Sequence, residues 1–516
     1  MEIERELKFR ITPPSARRVW RLVRFTSPPR RQSFSAVYYD TKRARLRRAR
    51  AELRLRREGG RWVQTMKADT GVPGGLPTRA EWQLPAPGRK LDIAAFPRDS
   101  INATTGLDLR KLGPKLKPLF ETRFSRRAGM VDLGGGARAE LSVDRGRISA
   151  ARQHLPILEL ELELKAGDPR RLIRFAEELA KPLGLSLEFA SKAQRGYRLA
   201  AGDPAEVPRK WIRPGVAESA TPGEAFAAQF AAALQQAGAN AHGVLGSSDP
   251  EFLHQMRVGL RRLRSLLRVY RGIVPRKESR PLTRALRRLT PALGAARDWD
   301  VFCEWLASEA RSAGPDAGEV RAVLARARAR RQSARRLARE TVSAWRFQRL
   351  FLRAILWLAD APWSRRPDAR EVPAPEFARH TLERLHGKTI EYPRHIDWDD
   401  VERRHALRVK VKRLRYATGY FARSFPNAAV RPYLRRLQNL QDILGELNDV
   451  AVARRFLMEL VPRGPVVGQR AGARLWRSLA AREIALIASL EPAWRSFQKR
   501  GAFWRPPRRG ADRAAG

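Results

Sequence analysis

Residues 1–8 read MEIERELK, and residues 158–165 read LELELELK. In both stretches charged side chains alternate with mostly apolar ones, and alternate side chains of a β-strand share one face. Each stretch therefore predicts a strand with a row of carboxylates on one side. The charged rows consist of Glu4, Glu6 and Lys8, and of Glu159, Glu161 and Glu163. Together with LRLR at 53–56 and TMK at 65–67, they indicate a site where carboxylates bind metal ions opposite cations that bind phosphate.

The charge of the chain predicts a polyanionic partner. The 516 residues are enough for roughly two to four domains. A net charge of +50 is unfavourable through self-repulsion unless polyanions are nearby, and nucleic acid, an anionic membrane and inorganic polyphosphate all meet this requirement. The single cysteine, Cys303, excludes an internal disulfide and a Cys-rich zinc site. The N-terminus has no apolar leader pattern, and the most apolar stretch (352–361) is too short to cross a bilayer, so we expect a cytoplasmic protein.

The first part of the chain is predicted to be mainly β. Short alternating runs lie at 3–11, 34–40, 51–57, 61–68, 79–84, 139–145 and 157–165, with helices near 14–24 and 169–183. Many short strands at this spacing are typical of a sandwich or a barrel. We place the β domain at 1–200, a proline-containing linker at 201–221, an α-helical domain at 222–506 and a disordered tail at 507–516.

The helical part contains an internal repeat. HQMRVGLRRLR at 254–264 matches HALRVKVKRLR at 405–415, and LGAARD at 293–298 matches LGELND at 444–449, both at an offset of 151 residues. Because two motif pairs share one offset, we expect two related helical bundles. The predicted fold class is a multidomain α+β protein, with a β domain followed by an all-α domain.

Charges also alternate along the other predicted strands of the β domain. They include Arg54 with Arg56, Arg79 with Glu81, and the single charge Lys67. Isolated charges in later segments are Arg123, Asp144, Lys192 and Arg195. If the strands close into a barrel, alternation turns one face inward. Dry burial of so many charges is costly, whereas a water-filled tunnel that binds a polyanion and its metal ions avoids this cost. The alternative is an ordinary β domain with its polar residues in solvent.

The ordered motifs of residues 1–200 resemble the CYTH family, the triphosphate tunnel metalloenzymes. The family signature ExExK is present as Glu4, Glu6 and Lys8. The motifs that follow in the family order are YYDT (38–41), LRLR (53–56), TMK (65–67), RAE (79–81), DRG (144–146), ELELE (159–163) and SKAQRGY (191–197). The resemblance implies an antiparallel eight-stranded β tunnel that binds a triphosphate and the divalent cations Mg²⁺ or Mn²⁺.

The resemblance also implies roles for individual residues. Phosphate contacts are implied for Lys8, Arg54, Arg56, Lys67, Arg79, Arg123, Lys192 and Arg195. Metal ligands are implied for Glu4, Glu6, Glu159, Glu161 and Glu163, with Glu81 and Asp144 as further candidates, and Glu4, Glu6 and Lys8 form the catalytic signature. One metal ion would clamp the triphosphate, and a second would activate the attacking water. Some family members have a second carboxylate where this chain has Gln83, so we expect no metal ligand at that position.

Basic side chains form a stripe on the first helix of each repeat. The first stripe consists of His254, Arg257, Arg261, Arg264 and Arg268, and the second of His405, Arg408, Lys412 and Arg415. Residues at spacings of three and four share one helix face, so each stripe is either an anion-binding surface or a solvated face of an Arg-rich helix. The repetition of the stripe, led by histidine each time, favours an anion-binding surface. A metal site at His254 or His405 is disfavoured, because neither has a second His or Cys at ligand spacing and both are surrounded by cations.

Residues 222–500 resemble the CHAD domain through the duplicated HxxRVxxxRLR motif. That family consists of two helical bundles with pseudo-twofold symmetry and a basic surface or pore that binds inorganic polyphosphate. The polyphosphate ligands implied here are His254, Arg257, Arg261, Arg264, His405, Arg408, Lys412 and Arg415, while Arg262, Lys410 and Arg413 point away from the stripes. Nucleic acid is the competing ligand. Aromatic residues are not interleaved with the stripes, so we expect at most non-specific binding of nucleic acid.

The two resemblances together predict a CYTH–CHAD enzyme. The predicted reaction is metal-dependent hydrolysis of inorganic triphosphate to pyrophosphate and phosphate, with inorganic polyphosphate bound by the helical domain. Two alternatives remain open. One is a non-catalytic protein that binds or targets polyphosphate, and the other is a triphosphatase for an organic substrate such as a nucleotide or thiamine triphosphate. The expected location is the cytoplasm, with polyphosphate granules as a further option.

Overall fold

The chain divides into two compact units. The computed structural model describes residues 2–71, 78–203, 206–215, 219–392, 398–461, 469–499 and 501–505. The first unit comprises 1–214, 230–260 and 342–362, and the second comprises 215–229, 261–341 and 363–516. The predicted tail at 507–516 lies outside the described residues, as do positions 204–205 and 216–218 of the predicted linker.

Eight strands of the first unit close into an antiparallel barrel. They are β1 (Glu2–Arg10), β2 (Arg30–Thr41), β3 (Ala51–Glu58), β4 (Arg61–Gly71), β5 (Thr78–Pro85), β6 (Leu116–Asp132), β7 (Arg138–Ala150) and β8 (Gln153–Ala166). The strand order is β5-β4-β3-β2-β6-β7-β8-β1, and the pairing of β1 with β5 closes the ring. A two-residue strand, β9 (Ser186–Leu187), pairs with the end of β1. The expected eight-stranded antiparallel barrel is therefore confirmed.

Strand β6 is missing from the strands predicted by alternation, although it is 17 residues long. Phe120 and Thr122 are buried on one side of the strand, but charged residues occupy both sides. Arg123 is exposed, while Arg126 lies on the inner side, so the contrast between polar and apolar positions is weak. A two-residue period in hydrophobicity is the signal for a strand, and β6 does not show it clearly.

Short helices lie between and after the strands of the barrel. They are α1 (Pro13–Leu22), α2 (Arg45–Arg48), α3 (Arg98–Thr105), α4 (Leu109–Leu112), α5 (Pro169–Leu183) and α6 (Lys192–Ala200). Helix α5 begins after Asp168, whose side chain accepts from the backbone N–H of Arg170, and ends at Gly184 with φ of 59°. The helices predicted near 14–24 and 169–183 are confirmed. Leu53, Met66 and Trp82 turn outward and pack with residues of α3 and α4.

Helix α6 packs against inward-facing residues of the barrel. Tyr197 of α6 contacts Phe120 edge-on at 5.2 Å between ring centroids, and Phe120 stacks on Tyr38 at 4.5 Å. A Cβ atom on Gly196 would lie only 2.1 Å from the Phe120 ring, so the helix can approach this closely only because it has glycine there. This packing fixes the position of α6 and of the cations at its start.

From residue 222 onward the described chain is mainly helical. The helices are α7 (Pro222–Gly238), α8 (Ala241–Gly246), α9 (Pro250–Val269), α10 (Arg276–Ser312), α11 (Ala317–Ser343), α12 (Trp345–Asp360), α13 (Pro367–Arg370), α14 (Ala374–Ile390), α15 (Val401–Phe421), α16 (Asn427–Leu460) and α17 (Gln469–Gln498). Within the described ranges, none of these helices combines the length and the apolar composition of a membrane span.

The internal repeat predicted from the motifs is present in the helices. Helices α9 and α15 begin at 250 and 401, and α10 and α16 begin at 276 and 427, so both pairs are 151 residues apart. Contacts repeat at the same offset. Arg264 Nη1 donates to Thr290 Oγ1 at 3.2 Å, and Arg415 Nε donates to Gln441 Oε1 at 2.6 Å.

Candidate functional site

The charged rows of neighbouring barrel strands lie side by side. In antiparallel pairs, residues directly opposite one another are close enough for their side chains to interact. The opposed pairs are Lys8 with Glu161, Glu6 with Glu163, Asp144 with Glu159, and Lys67 with Glu81. The register therefore gathers cations and carboxylates from most of the ring into one interior cluster.

Three carboxylates of β7 and β8 converge in this interior. Oxygens of Asp144, Glu159 and Glu161 all lie within 4.8 Å of one another, and all three side chains are buried. The Lys192 ammonium lies among them, with Nζ 2.6 Å from Asp144 Oδ2 and 3.0 Å from Glu161 Oε1, and it also pairs with Glu159. Burial raises the pKa of Glu161, but Lys192 and Arg126 outweigh burial and hold this pKa well below its usual value. Glu161 is therefore ionised at neutral pH.

Glu4 contacts cations of the neighbouring strands. Lys67 Nζ donates to Glu4 Oε1 at 2.6 Å and lies 3.2 Å from Glu81 Oε2. Burial raises the pKa of Glu4, but Lys67, Lys8 and Arg79 outweigh burial and lower this pKa to about 2. The second oxygen, Glu4 Oε2, is buried and accepts no hydrogen bond from the described part of the chain. An ionised carboxylate thus keeps one acceptor for a ligand.

Lys8 lies between Glu6 of its own strand and Glu161 of the convergent carboxylates. Its Nζ lies 2.7 Å from Glu6 Oε1 and 3.7 Å from Glu161 Oε1. Burial raises the pKa of Glu6. Arg79 Nη1 lies 4.0 Å from the same Glu6 oxygen and 3.8 Å from Glu52 Oε1. The signature residues of β1 therefore contact charged groups on both neighbouring strands, β5 and β8.

Arg54 and Arg56 of β3 contribute positive charge to the interior. Arg54 Nη1 donates to Tyr38 Oη at 3.4 Å, and Arg56 Nη2 donates to Gln83 Oε1 at 3.4 Å. Burial, followed by the neighbouring charge of Arg54, lowers the pKa of Arg56 to about 9. Both Nε atoms are buried without a hydrogen-bond partner among the described residues. Adjacent half-buried cations favour a bound anion, since an anion would stabilise their charged forms.

The structure corrects the placement of Arg123 and identifies Arg126 in its place. The Arg123 side chain is 61% exposed and pairs with Glu121, so it is not one of the inward-facing charges. Arg126 faces inward and donates to Asp144 through two bonds of 2.7 and 2.8 Å, and to Glu161 at 2.5 Å. The two arginines are three residues apart, so they lie on opposite faces of β6. Alternation within β6 would have indicated Arg126 if the strand had been recognised.

The other predicted tunnel residues are placed at the interior cluster. Arg195 of α6 pairs with Glu159, and Glu163 Oε1 accepts from Lys165 Nζ at 2.6 Å. Burial raises the pKa of Glu163. Sequence reasoning missed Glu52 as well as Arg126. Glu52 lies two residues before Arg54 on the same face of β3, and it pairs with Arg79, which faces the barrel interior.

The donor set fits a divalent cation. Hard cations such as Mg²⁺ and Mn²⁺ take carboxylate oxygens, and Asp144, Glu159 and Glu161 supply three within 4.8 Å of one another. The Lys192 ammonium among them shows that this position favours positive charge. The buried Glu4 Oε2 is a further acceptor in the same interior. A buried acidic cluster that could hold a metal ion is therefore present.

The predicted polyphosphate residues lie on helices α9 and α15. His254 and Arg257 belong to the first unit, and Arg261, Arg264, His405, Arg408, Lys412 and Arg415 belong to the second. His405 is exposed and Arg408 is half-buried, and Arg408 Nη1 donates to Asn448 Oδ1 at 3.0 Å. The structure thus places these residues on helices, and their role as ligands remains a prediction.

Three arginines of the second unit lie around the side chain of Tyr416. Arg261 Nε donates to Tyr416 Oη at 2.9 Å, and the Arg415 guanidinium lies 4.7 Å from the centroid of the Tyr416 ring. Arg262 lies 5.8 Å from the same ring. The helical spacing predicted that Arg262 points away from the stripe, whereas the structure places it near Arg261 and Arg415, around the same ring. Cation–π contacts on a single ring hold these three charges near one another.

Comparisons with known proteins divide the chain in the same order. The CYTH domain model matches residues 2–197, and the CHAD domain model matches residues 228–458. An inorganic triphosphatase from Haemophilus influenzae is 30% identical over 203 residues, which is 38% of this chain and 54% of that protein. The chain therefore spans about half the length of this curated relative.

Solved structures also match parts of the chain. The CHAD domain from the plant Ricinus communis is 28% identical with a TM-score of 0.46, and the match covers 57% of this chain and 97% of that one. PptA from Streptomyces chartreusis is 16% identical with a TM-score of 0.41, and the match covers 54% of this chain and 99% of that one.

Proposed function

We propose that this chain hydrolyses inorganic triphosphate inside its barrel, since residues 2–197 form a CYTH domain and residues 228–458 form a CHAD domain. The observation that carries the proposal is the interior cluster, where buried carboxylates and buried cations meet from several strands. Such pairs are costly to bury for stability alone. A triphosphate with divalent cations provides partners for both kinds of group, because phosphate oxygens bind the cations and the metal binds the carboxylates.

The residues of the barrel would hold the triphosphate in an extended, oriented state. The cations that face the interior are Lys8, Arg54, Arg56, Lys67, Arg79, Arg126, Lys192 and Arg195. Their charge-assisted hydrogen bonds neutralise the phosphate oxygens and fix the terminal phosphorus for in-line attack. Water attacks that phosphorus, the phosphoanhydride bond breaks, pyrophosphate leaves with the bridging oxygen, and one proton passes to solvent.

A divalent ion, Mg²⁺ or Mn²⁺, is proposed to bind at Asp144, Glu159 and Glu161, with Glu4 and Glu6 as further ligands. When bound, it neutralises phosphate charge and lowers the pKa of a coordinated water. Glu4 and Glu161 have lowered pKa values, so both are carboxylates at neutral pH, which is the form that binds a metal ion.

Aromatic packing supports an inorganic substrate over an organic one. Tyr38 and Phe120 face inward but stack on each other at 4.5 Å, and Tyr197 covers Phe120. Each of these three rings packs on another aromatic ring of the protein, which favours a substrate that needs no ring to stack on. A panel of inorganic triphosphate, ATP and thiamine triphosphate tests this point, and faster turnover of an organic triphosphate would contradict it.

We further propose that the helical domain binds inorganic polyphosphate. The support is the repeated pattern of basic residues on α9 and α15, together with Arg261, Arg262 and Arg415 around Tyr416. Several arginines held near one another suit a chain of phosphates, because negative charges are distributed along its whole length. Binding of this kind weakens as salt concentration rises.

Paired variants test the two activities separately. Lys8→Met is expected to abolish phosphate release from triphosphate with Mg²⁺ or Mn²⁺, whereas Arg5→Met, on the outer face of the same strand, is expected to leave it unchanged. Arg408→Met combined with Arg415→Met is expected to weaken binding of long-chain polyphosphate without loss of triphosphatase activity. If the wild-type chain binds polyphosphate but releases no phosphate from triphosphate, the non-catalytic alternative is correct.

A further inference from the structure

A second group of arginines begins one turn beyond the tunnel cations on helix α6. Arg198 follows Arg195 by three residues, about 4.5 Å along the helix axis. Its side chain is buried, with only 5% of the residue exposed. The Nε atom has no hydrogen-bond partner, and the guanidinium forms no hydrogen bond or ion pair with any residue that the structure describes. A buried, unpartnered guanidinium is costly and calls for a ligand.

Arg209 and Arg47 extend this positive region to the surface. Burial, followed by the positive charge of Arg209, lowers the pKa of Arg198 to about 10. Burial, followed by the charge of Arg47, lowers the pKa of Arg209. Arg209 is half-buried and Arg47 is exposed. The three cations therefore influence one another electrostatically, and they range from a buried side chain to an exposed one.

The backbone of Arg209 is held firmly in this position. Its N–H donates to Asn240 Oδ1 at 2.9 Å, and Asn240 Nδ2 donates to the Arg209 carbonyl at 3.0 Å. Asn240 is fully buried. Because the buried Asn240 side chain binds both the N–H and the carbonyl of Arg209, the backbone of Arg209 has a fixed position.

The carboxylates that act on Arg198 already have another partner. Arg10 Nε lies 2.6 Å from Glu188 Oε2, and Arg10 Nη2 lies 2.6 Å from Glu206 Oε1. Glu188 also accepts the backbone N–H of Ala190 at 2.7 Å. Since Arg10 compensates much of this negative charge, the three arginines retain an excess of positive charge.

We infer that Arg198, Arg209 and Arg47 form a binding site for inorganic phosphate that is distinct from the tunnel cluster. Guanidinium groups present planar pairs of donors that match the oxygens of a tetrahedral oxyanion. A dianion here would provide the missing partner for Arg198 and reduce the repulsion among the three cations. The inference does not rest on the proposed hydrolysis, because it concerns equilibrium binding of phosphate alone.

Equilibrium dialysis of the full chain against radiolabelled orthophosphate, in a buffer with a metal chelator, tests this site. The variants are Arg198→Met and Arg209→Met, and the matched control is Arg48→Met, which removes an exposed charge next to Arg47. Wild type and the control are expected to bind the same number of phosphates per chain. Arg198→Met and Arg209→Met are each expected to lose one phosphate, or to bind it about ten-fold more weakly.

Two outcomes would overturn the inference. Phosphate binding equal to wild type in both site variants would show that the arginines hold no phosphate. An equal loss in Arg48→Met would show that general charge, and not this group, sets the binding. Circular dichroism checks that each variant is folded, and Arg209→Met carries the test if Arg198→Met does not fold.

Discussion

Replacement of Arg126 by methionine gives the sharpest test of the barrel interior, because β6 supplies its own control. Arg126→Met removes a cation from the inner face, and Arg123→Met removes the same residue type three positions away on the outer face. Arg126 donates to Asp144 at 2.7 and 2.8 Å and to Glu161 at 2.5 Å. The Arg123 side chain is 61% exposed and pairs with Glu121.

The expected loss of stability follows from these contacts. Charge-assisted hydrogen bonds contribute about 1.5–3 kcal/mol each, but the cost of desolvating the ions offsets much of this sum. Removal of one partner from a buried ion pair typically costs about 3–5 kcal/mol. Since 20% of the Arg126 side chain is exposed, solvent screens part of the interaction, and we expect about 3 kcal/mol. For Arg123→Met the expectation is below about 0.5 kcal/mol.

Amide hydrogen exchange followed by mass spectrometry measures this loss in the barrel itself. A loss of about 3 kcal/mol corresponds to roughly hundred-fold faster exchange in the peptides of β6, β7 and β8. The same variant should lose about 10²-fold in kcat/KM for triphosphate, because one donor to the phosphate is removed. Protection and activity that are equal in the two variants would refute the assignment of Arg126 to the interior cluster.

Three further perturbations test the barrel and the helices. In metal-free protein the pKa of Glu4 is lowered from 4.5 to about 2, so its stabilising effect is complete above pH 4.5 and disappears as the pH falls towards 2. Glu4→Gln should therefore lose less stability than wild type across this window, as followed by circular dichroism during acid titration. Lys192→Met removes the ammonium among the three carboxylates and should bind Mn²⁺ about ten-fold more tightly in the absence of triphosphate, as measured by electron paramagnetic resonance; unchanged affinity would contradict this site. Gly196→Ala places a methyl group 2.1 Å from Phe120 and should destabilise the barrel by about 1–3 kcal/mol, whereas Gly419→Ala, in open space on α15, should stabilise its helix by about 0.5–1 kcal/mol. Thermal melts that rank these two glycine variants in the opposite order would contradict the packing of α6.

Much of the fold could be predicted because its signals are local. Alternation in β1 and β8 indicated strands with one charged face, and the ring contains both. The offset of 151 residues predicted related helices, and α9 and α15 begin at that offset. Strand β6 was missed because charges on both faces conceal its period. The charged residues on both faces of β6 also explain the misplacement of Arg123. The inward or outward direction of a side chain cannot be assigned in a strand that is not recognised.

The candidate site shows the same limit. Alternation identified Glu4, Glu6 and Lys8 as members of one row, but it could not show that Lys67 contacts Glu4 or that Lys192 lies among three carboxylates. Lys67 and Glu4 are 63 positions apart in the chain, and Lys192 reaches the carboxylates from helix α6. Arg198 had no signal at all in the sequence, because its burial and its lack of a partner depend on how α6 packs.

The amino-acid sequence by itself determined the class of each part, the charged faces of most strands and the repeat of the helices. These properties follow from side-chain periodicity, which acts between neighbours in the chain. Only the tertiary structure decided which charges meet. Strand register, closure of β1 on β5 and the approach of Gly196 to Phe120 set those distances, and they arise from packing between residues far apart in the sequence.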